Sequence, residues 1–365
     1  ALFTESGIAT LNLVSQHVST LLGFSRAGME FMFGNLVDSS DSLGFIFAFN
    51  VLPVVVFFSS LIAVLYHAQI MQWIILILGG GLKFALHTSQ SESLSAAANV
   101  FVGQAEAPLV VRPYIAGMTR SELFAVMVGG MSSIAGSVMA GYVALGIPLE
   151  YLLAASFMAA PGSLLLAKLL EPETDHPLEP QEISYLASER HINFIDAAAT
   201  GAINGLRMAG AIGAMLLAFI SLIAMANGII GFAGDFIGLD QLTLEGILGA
   251  LLRPLAWTLG VQWDEAHLVG SLIGQKFILN EFVAYVSYSQ TYGQLSSQSQ
   301  VIVIFALCGF ANLSSIAILL GALGAVAPTR REDISRFGFR ALLAASLSNL
   351  MSAALAGFFV SLSGS

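Results

Sequence analysis

Two carboxylates stand inside stretches that are otherwise apolar enough for a lipid bilayer. Glu106 lies in the run Gly103-Gln104-Ala105-Glu106-Ala107-Pro108. Glu281 follows Gly274-Gln275-Lys276-Phe277-Ile278-Leu279-Asn280. A carboxylate near the bilayer centre costs roughly 2.5–3.5 kcal/mol on insertion scales, so it faces a partner or a wet cavity. Pairing with a local cation is one outcome, and Lys276 is the candidate for Glu281. A ligand site is the other, because both carboxylates occupy comparable places around chain breaks. Asn99, Gln104, Asn280 and Asn312 cluster near the same breaks. One amide in a span commonly serves as glue worth about 0.6 kcal/mol, but four at helix interruptions point to a site. Gly103 permits a sharp turn, and Pro108 removes a backbone donor. The backbone groups so freed persist within a membrane only beside protein or water. There they offer half-helix N-terminal donors to a polar ligand and carbonyl oxygens to a hard cation such as Na⁺.

These residues need helices to hold them. The chain is 56% hydrophobic and 10% charged, with mean hydropathy +0.83, against about 25% charged in soluble domains. That composition makes it a polytopic, all-α membrane protein, and its net charge of −10 says little about partners. Apolar runs near the 20 residues needed to cross occur at about 45–66, 123–147, 151–170, 207–232, 301–327 and 341–362. Stretches at 69–81, 94–111 and 266–288 are interrupted and need not span. Residues 1–35 carry Ile8, Leu11, Val14, Val18 and Leu21 at helical spacing, which suits a helix lying in the interface plane or packed on protein. Basic residues gather at 112–120, 168–207 and 330–340, which makes those connections cytoplasmic. The opposite connections, 146–150 and 231–265, hold only Arg253. Residues 171–190 form the one hydrophilic loop. Cys308 is the single cysteine, so no intrachain disulfide forms. HExxH, CxxC and P-loop signatures are missing, which disfavours an enzyme.

Ser132-Ser133-Ile134-Ala135 recurs as Ser314-Ser315-Ile316-Ala317, and the segment starting at Leu152 and ending at Ser156 resembles the one from Leu342 to Ser346. A polar break, a Ser-bearing span and an apolar span thus occur twice in one order. Three spans separate the two breaks, so the second copy is inverted relative to the first. Inverted repeats with interrupted helices are the sequence mark of alternating-access transporters. On residues alone, the hydroxyls of Ser133 and Ser315 are as well suited to helix self-bonding as to a ligand, and Phe310 to packing as to stacking.

Taken together, the stretch from Ala96 through Asn99, Gly103-Gln104-Ala105-Glu106-Ala107-Pro108 and Arg112, the motif Asn280-Glu281-Phe282-Val283-Ala284-Tyr285, and Gly309-Phe310-Ala311-Asn312-Leu313-Ser314-Ser315-Ile316 resemble concentrative nucleoside transporters of bacterial type. The resemblance runs from the opening helix to the C-terminus. It implies eight spans in the full family pattern, of which the first two would lie before residue 1, together with two re-entrant helical hairpins, discontinuous transmembrane helices and a homotrimer in the bacterial inner membrane. It further implies a symporter importing uridine-like nucleosides on the sodium gradient, surrounded by membrane lipid and with no nucleic-acid partner. By the same resemblance Gln104 and Glu106 address the nucleobase, Val138 and Phe310 line its pocket, and Glu281, Asn312 and Ser315 hold the ribose. Sodium sits near Asn99, Val102, Ser133 and Ile134, partly through main-chain carbonyls. The family's hairpin usually reads Gly-Gln-Thr-Glu-Ala-Pro, so Ala105 removes a hydroxyl near base and cation.

The expected organisation is an interfacial helix at 1–35, a scaffold segment at 36–66, a first transport repeat at 67–170, a cytoplasmic loop and interfacial helix at 171–206, a scaffold helix at 207–238, and a second repeat at 239–362. Proton coupling and a different small polar solute are the alternatives. An amino-acid site would call for a cation near the ligand carboxylate, and the repeated motifs contain no Arg beside the breaks. A receptor or channel subunit without coupled transport is the remaining alternative.

Overall fold

A computed structural model of the chain describes residues 5–37, 44–177, 191–236, 238 and 242–363. All regular structure among them is helical. Helix α1 (Glu5–Phe33) is not among the helices apolar enough to span, and the side chains of Ile8, Leu11 and Val14 lie outside the described residues. Then follow α2 (Leu52–His67), α3 (Ile70–Leu86) and α4 (Gln90–Ala98). After a break and two short helical turns (Ala107–Val110 and Arg112–Ile115) come α5 (Arg120–Ser132), α6 (Gly136–Ala144) and α7 (Leu149–Leu170). The 43-residue α8 (Phe194–Phe236) leads to α9 (Leu244–Thr258), α10 (Trp263–Ile278), α11 (Glu281–Thr291), α12 (Ser297–Leu307), α13 (Leu313–Val326) and α14 (Arg331–Ser363).

The order is an inverted repeat. In the first copy α3 and α4 lead to a hairpin tip at 99–106, a span broken between α5 and α6, and α7. In the second, α9 and α10 lead to a tip at 279–280, a span broken between α12 and α13, and α14. The spans α5–α6, α7 and α8 separate the hairpins, so these enter from opposite faces. Each hairpin begins with a close helix pair. A Cβ on Gly79 of α3 would lie 2.9 Å from Leu94 of α4, and one on Gly249 of α9 would lie 2.7 Å from the His267 carbonyl oxygen of α10. Small residues let helix backbones meet where lipid supplies no hydrophobic drive.

The three basic connections meet at one end. Arg330 donates to the Met118 carbonyl (2.6 Å), and Arg340 donates to the Leu170 carbonyl and pairs with Glu171 (2.7 Å). Nearby, Lys168 pairs with Glu92 at the base of hairpin 1, while the Ser91 hydroxyl donates to Glu122 (2.7 Å). These buried carboxylates also close capping boxes with Ser89 and Thr119. They lock the base of the first hairpin to α5 and α7.

Three expectations need correction. Residues 194–206, expected in a segment separate from the scaffold helix, continue it instead: α8 runs unbroken from Phe194, about 64 Å at 1.5 Å per residue. Residues 178–190 of the expected loop lie outside the described residues. The connection at 231–265 contains α9, whose Leu-rich sequence includes Pro254 and is too short to read as a span. The Ser-Ser-Ile-Ala copies are not structurally equivalent. The first ends α5 and enters the break, whereas the second begins α13 beyond its break. The equivalent features are the breaks themselves, which local residue identity does not align.

Helices α2 and α8 form a pair apart from the repeats. Ser60 Oγ donates to the Ala198 carbonyl (2.9 Å), and Gly201 and Gly205 of α8 abut α2 at Ser59, Ser60 and Ala63. Gly205→Val would push a side chain into backbone, since even a Cβ there stands 2.7 Å from Val56 Cα. The expected loss is about 1–3 kcal/mol of stability, read as a lowered unfolding midpoint of purified protein in detergent.

Candidate functional site

The two broken spans cross. Helix α5 stops at Ser132, Ser133 is extended (φ −113°, ψ 176°), and α6 starts at Gly136. Helix α12 stops at Leu307, and α13 starts only after Asn312, whose side chain caps it by accepting from the Ser315 amide (3.0 Å). At the crossing the Phe310 amide donates to the Ser133 carbonyl (3.1 Å). Asn349 of α14 spans both breaks, its Nδ2 donating to the carbonyls of Ser132 (2.6 Å) and Cys308 (3.1 Å). Lys276 Nζ donates to the Ala306 carbonyl (2.7 Å) and to Asn349 Oδ1 (2.8 Å). Chain breaks at membrane depth thus have their backbone groups satisfied by protein.

The hairpin tips approach this crossing from opposite sides. In the first tip, Glu106 Oε2 accepts from the Gly103 amide (2.9 Å), and the Gly136 amide donates to the Phe101 carbonyl (2.8 Å). In the second, Asn280 caps α11 by accepting from the Val283 amide (2.9 Å), which places Glu281 at the first helical position. Glu281 is 5% exposed. Its Oε1 accepts from Tyr142 Oη (3.0 Å) and its Oε2 from Asn312 Nδ2 (3.1 Å). Lys276 is turned to the break carbonyls instead, so local ion pairing does not account for Glu281.

A cavity of about 200 Å³ lies between the tips. Gln104, Glu106, Val138, Glu281, Phe310, Asn312 and Ser315 all line it, so the residues singled out from sequence for a polar ligand converge on one space. Gln104 Nε2 donates to Ser315 Oγ (3.2 Å), joining the first hairpin to the second repeat, and the Ser315 hydroxyl also meets the Phe310 carbonyl. Gln104 Oε1 is buried without a partner. Ala105 presents a methyl group to the cavity. An apolar part of the remaining wall comes from α8, through Met208, Ala211, Ile212 and Met215. Oxygen acceptors on one side and an apolar wall on the other suit a flat, hydroxyl-bearing neutral solute.

Beside the cavity, the first tip runs along the α5–α6 break. A Cβ on Gly129 would lie 3.0 Å from Asn99 Nδ2, and one on Gly130 3.3 Å from Gln104 Cβ. Asn99, Val102, Ser133 and Ile134 are all buried here. Asn99 Nδ2 donates to the Ser95 carbonyl (3.0 Å), which leaves its buried Oδ1 unpartnered. No group of three or more His, Cys, Asp or Glu side chains is placed to hold a metal ion among the described residues. The oxygens around Asn99, Val102, Ser133 and Ile134 are amide, hydroxyl and main-chain groups, a set that suits a hard cation.

Sequence reasoning missed three contributors. Tyr142 lies one helical turn beyond Val138, a spacing that could have flagged it. The α8 wall has the i, i+3, i+4, i+7 pattern of one helix face, legible only once α8 is known to face the cavity. Asn349 had no local signal, because its role is to bridge breaks far away in sequence. A second cavity of about 420 Å³ adjoins the first and shares Glu106, Ala135 and Met208 with it. It is lined by α2, the first hairpin and the start of α8, including Tyr66, Arg112 and Asn204.

Comparison with known proteins agrees with this architecture. The family described as "Na+ dependent nucleoside transporter C-terminus" matches residues 151–357, and one described as "Nucleoside recognition" matches residues 48–149. The chain is 45% identical to the nucleoside permease NupC of Helicobacter pylori, over 99% of this chain and 88% of that one. It is 53% identical to the transporter CNTnw in an inward-facing substrate-bound state, with TM-score 0.95 over 100% of this chain and 88% of that one. A double variant of CNTnw in an outward-facing state gives TM-score 0.96 at 53% identity, over 99% and 88%.

The crossing itself is open to test. Asn349→Ala should strand the Ser132 and Cys308 carbonyls and cost about 1–3 kcal/mol for each buried group left unpaired. The unfolding midpoint of the purified variant in detergent should fall accordingly.

Proposed function

The chain belongs to the concentrative nucleoside transporter family, and we propose that it imports uridine-like nucleosides together with sodium, binding the nucleoside between the two hairpin tips. It is a polytopic membrane transporter and not an enzyme. The observation that carries the finer reading is the pairing of two oxygen-rich positions at the same crossing. One is a carboxylate-lined cavity, and the other is a buried, unpartnered Asn99 Oδ1 beside the first break.

Physical roles follow from the donors and acceptors. Glu281, held between Tyr142 and Asn312, keeps acceptor capacity for a ribose diol. Asn312 and Ser315 supply further hydrogen-bonding groups to the sugar. Gln104, with both a donor amide and an unpaired Oε1, matches the mixed donor–acceptor edge of a base, and Glu106 accepts from its other donors. Val138 and Phe310 flank the base. The coupling ion takes Asn99 Oδ1, the Ser133 hydroxyl and main-chain oxygens near Val102 and Ile134. Because the first hairpin carries both the ion position and Gln104, binding the ion orders the tip that reads the base. Ion and nucleoside then favour one arrangement and raise each other's affinity by equal factors.

Alternating access requires one body to move against another. The repeats at 67–170 and 239–362 are the moving unit in this reading, and α2 with α8 is the static wall. An apolar 18-residue stretch in each of spans 47–67 and 194–235 is only 17% buried within the chain, which leaves their outer faces for lipid and for neighbouring subunits of a homotrimer. The larger cavity opens beside the first hairpin, and Arg112, on a cytoplasmic connection by the positive-inside rule, lines it. It serves as the route by which nucleoside leaves to the cytoplasm, with Glu106 at its threshold. The protein resides in a bacterial cytoplasmic membrane.

Uptake by purified protein in proteoliposomes tests the proposal. Radiolabelled uridine should accumulate under an inward sodium gradient and should not under a proton gradient with sodium absent. Accumulation driven by protons alone would replace sodium as the coupling ion, and no accumulation under either gradient would overturn symport. Glu281→Gln removes the charge behind its ribose hydrogen bonds, worth about 1.5–3 kcal/mol, so uridine affinity should fall roughly ten- to hundredfold. Titration calorimetry in saturating sodium would measure this, and near-normal binding would remove Glu281 from the site.

A further inference from the structure

Lys276 is the one basic side chain that is buried among the described residues, at 1% exposure. A fully buried ammonium carries a desolvation penalty of several kcal/mol, so a fold keeps it only with strong partners. Its hydrogen-bond partners are neutral oxygens: the Ala306 carbonyl at the end of α12, and the side-chain carbonyl of Asn349. Asn349 in turn donates to the Ser132 and Cys308 carbonyls. The ammonium therefore sits among one main-chain oxygen and one amide oxygen at a helix break, in the manner of a bound metal cation.

The first repeat presents the complement of this arrangement. There the hairpin's first helix, α4, ends at Asn99, which brings an unpartnered amide oxygen to the α5–α6 break. In the second repeat the hairpin's first helix, α10, carries Lys276 in its last turn and brings an ammonium to the α12–α13 break. Both positions follow from one topology: the end of the first hairpin helix meets the break of the next span. One break offers an unpartnered amide oxygen to a cation, and the other has a cation attached to the chain.

We propose that Lys276 is a tethered cation. At the second break it takes the place that the mobile ion takes at the first, so that the second repeat is charge-compensated in every state of the cycle and takes up no ion of its own. Lys276 acts here as a positioning residue. It holds α10, α12 and α14 around the crossing, and it does not touch the nucleoside cavity. This inference rests on the reading of the Asn99 position as the ion site.

The test is Lys276→Ala, which removes the ammonium and leaves room for a free cation. Reconstituted parent protein should show uridine uptake with a sodium dependence of Hill coefficient about 1, and the variant should shift toward about 2, since the coefficient can rise to the number of coupled sites. Uptake by the variant at low sodium should fall about tenfold or more, as expected for stranding buried acceptors at 1.4 kcal/mol per decade. In a second arm, the unfolding midpoint of the variant in detergent is followed in choline, sodium and methylammonium chloride. Methylammonium, a free copy of the lost group, should raise the variant's midpoint and leave the parent's unchanged. A folded variant that keeps the parent's sodium dependence and ignores methylammonium would overturn the proposal, and so would a variant that no cation restores. If parent uptake is itself indifferent to sodium, the ion reading at Asn99 fails, and the methylammonium arm still decides the role of Lys276.

Discussion

The structure depends on how the carbonyls and amides of two interrupted helices are satisfied where the helices cross. In hydrocarbon each unpaired backbone group costs several kcal/mol, so a break survives only where something specific meets it. Here the breaks meet each other, through the Phe310 amide on the Ser133 carbonyl, and both meet Asn349 of α14. Beside the first break Asn99 Oδ1 is buried without a partner, and beside the second Lys276 meets the Ala306 carbonyl and Asn349 Oδ1. The need to satisfy the backbone is what makes a polar site possible at this depth.

The same constraint separates the roles of the buried charges. Had Lys276 paired with Glu281, the carboxylate would be spent on structure. With Lys276 turned to the break, Glu281 is held by two neutral donors, Tyr142 and Asn312, and faces the cavity. The carboxylates at the base of the first hairpin behave differently. Glu92 and Glu122 are taken up by Lys168, Ser91 and their own capping boxes, and they fasten the hairpin to the body that carries it. Carboxylates of one chemical type thus face a cavity or fasten the fold according to what their neighbours leave free.

Much of this was legible in the sequence. Gln104, Glu106, Val138, Glu281, Phe310, Asn312 and Ser315 line one cavity, because the polar residues that break a helix in a membrane are also those a polar solute can use. The unwound span was implied by the family resemblance alone, since the apolar run at 123–147 carries its break at 133–135 without a fall in hydropathy. The tetrapeptide copies misled on register: four small or apolar residues recur by composition, while equivalence in an inverted repeat is set by where the chain unwinds. Helix α8 was read too short because its first turns, with Asp196 and Asn204, fall below the hydropathy of a span although they continue the same helix. Helix α9 escaped notice because an amphipathic helix with an internal proline has no run of spanning length.

By itself the sequence determined the membrane character, the two hairpins, their opposed orientation and the residue types at the site. Each of these follows from sums over about 20 residues or from Gly and Pro acting on their own turn. Tertiary structure alone decided which side chains answer the freed backbone groups. Asn349 reaches Ser132 across 217 positions and Gln104 reaches Ser315 across 211. It also decided that α8 supplies the apolar wall and that Lys276 faces a break and not a carboxylate. No local pattern encodes such pairings, because a helix interior accepts an Asn or a Lys only through partners that folding brings from elsewhere in the chain.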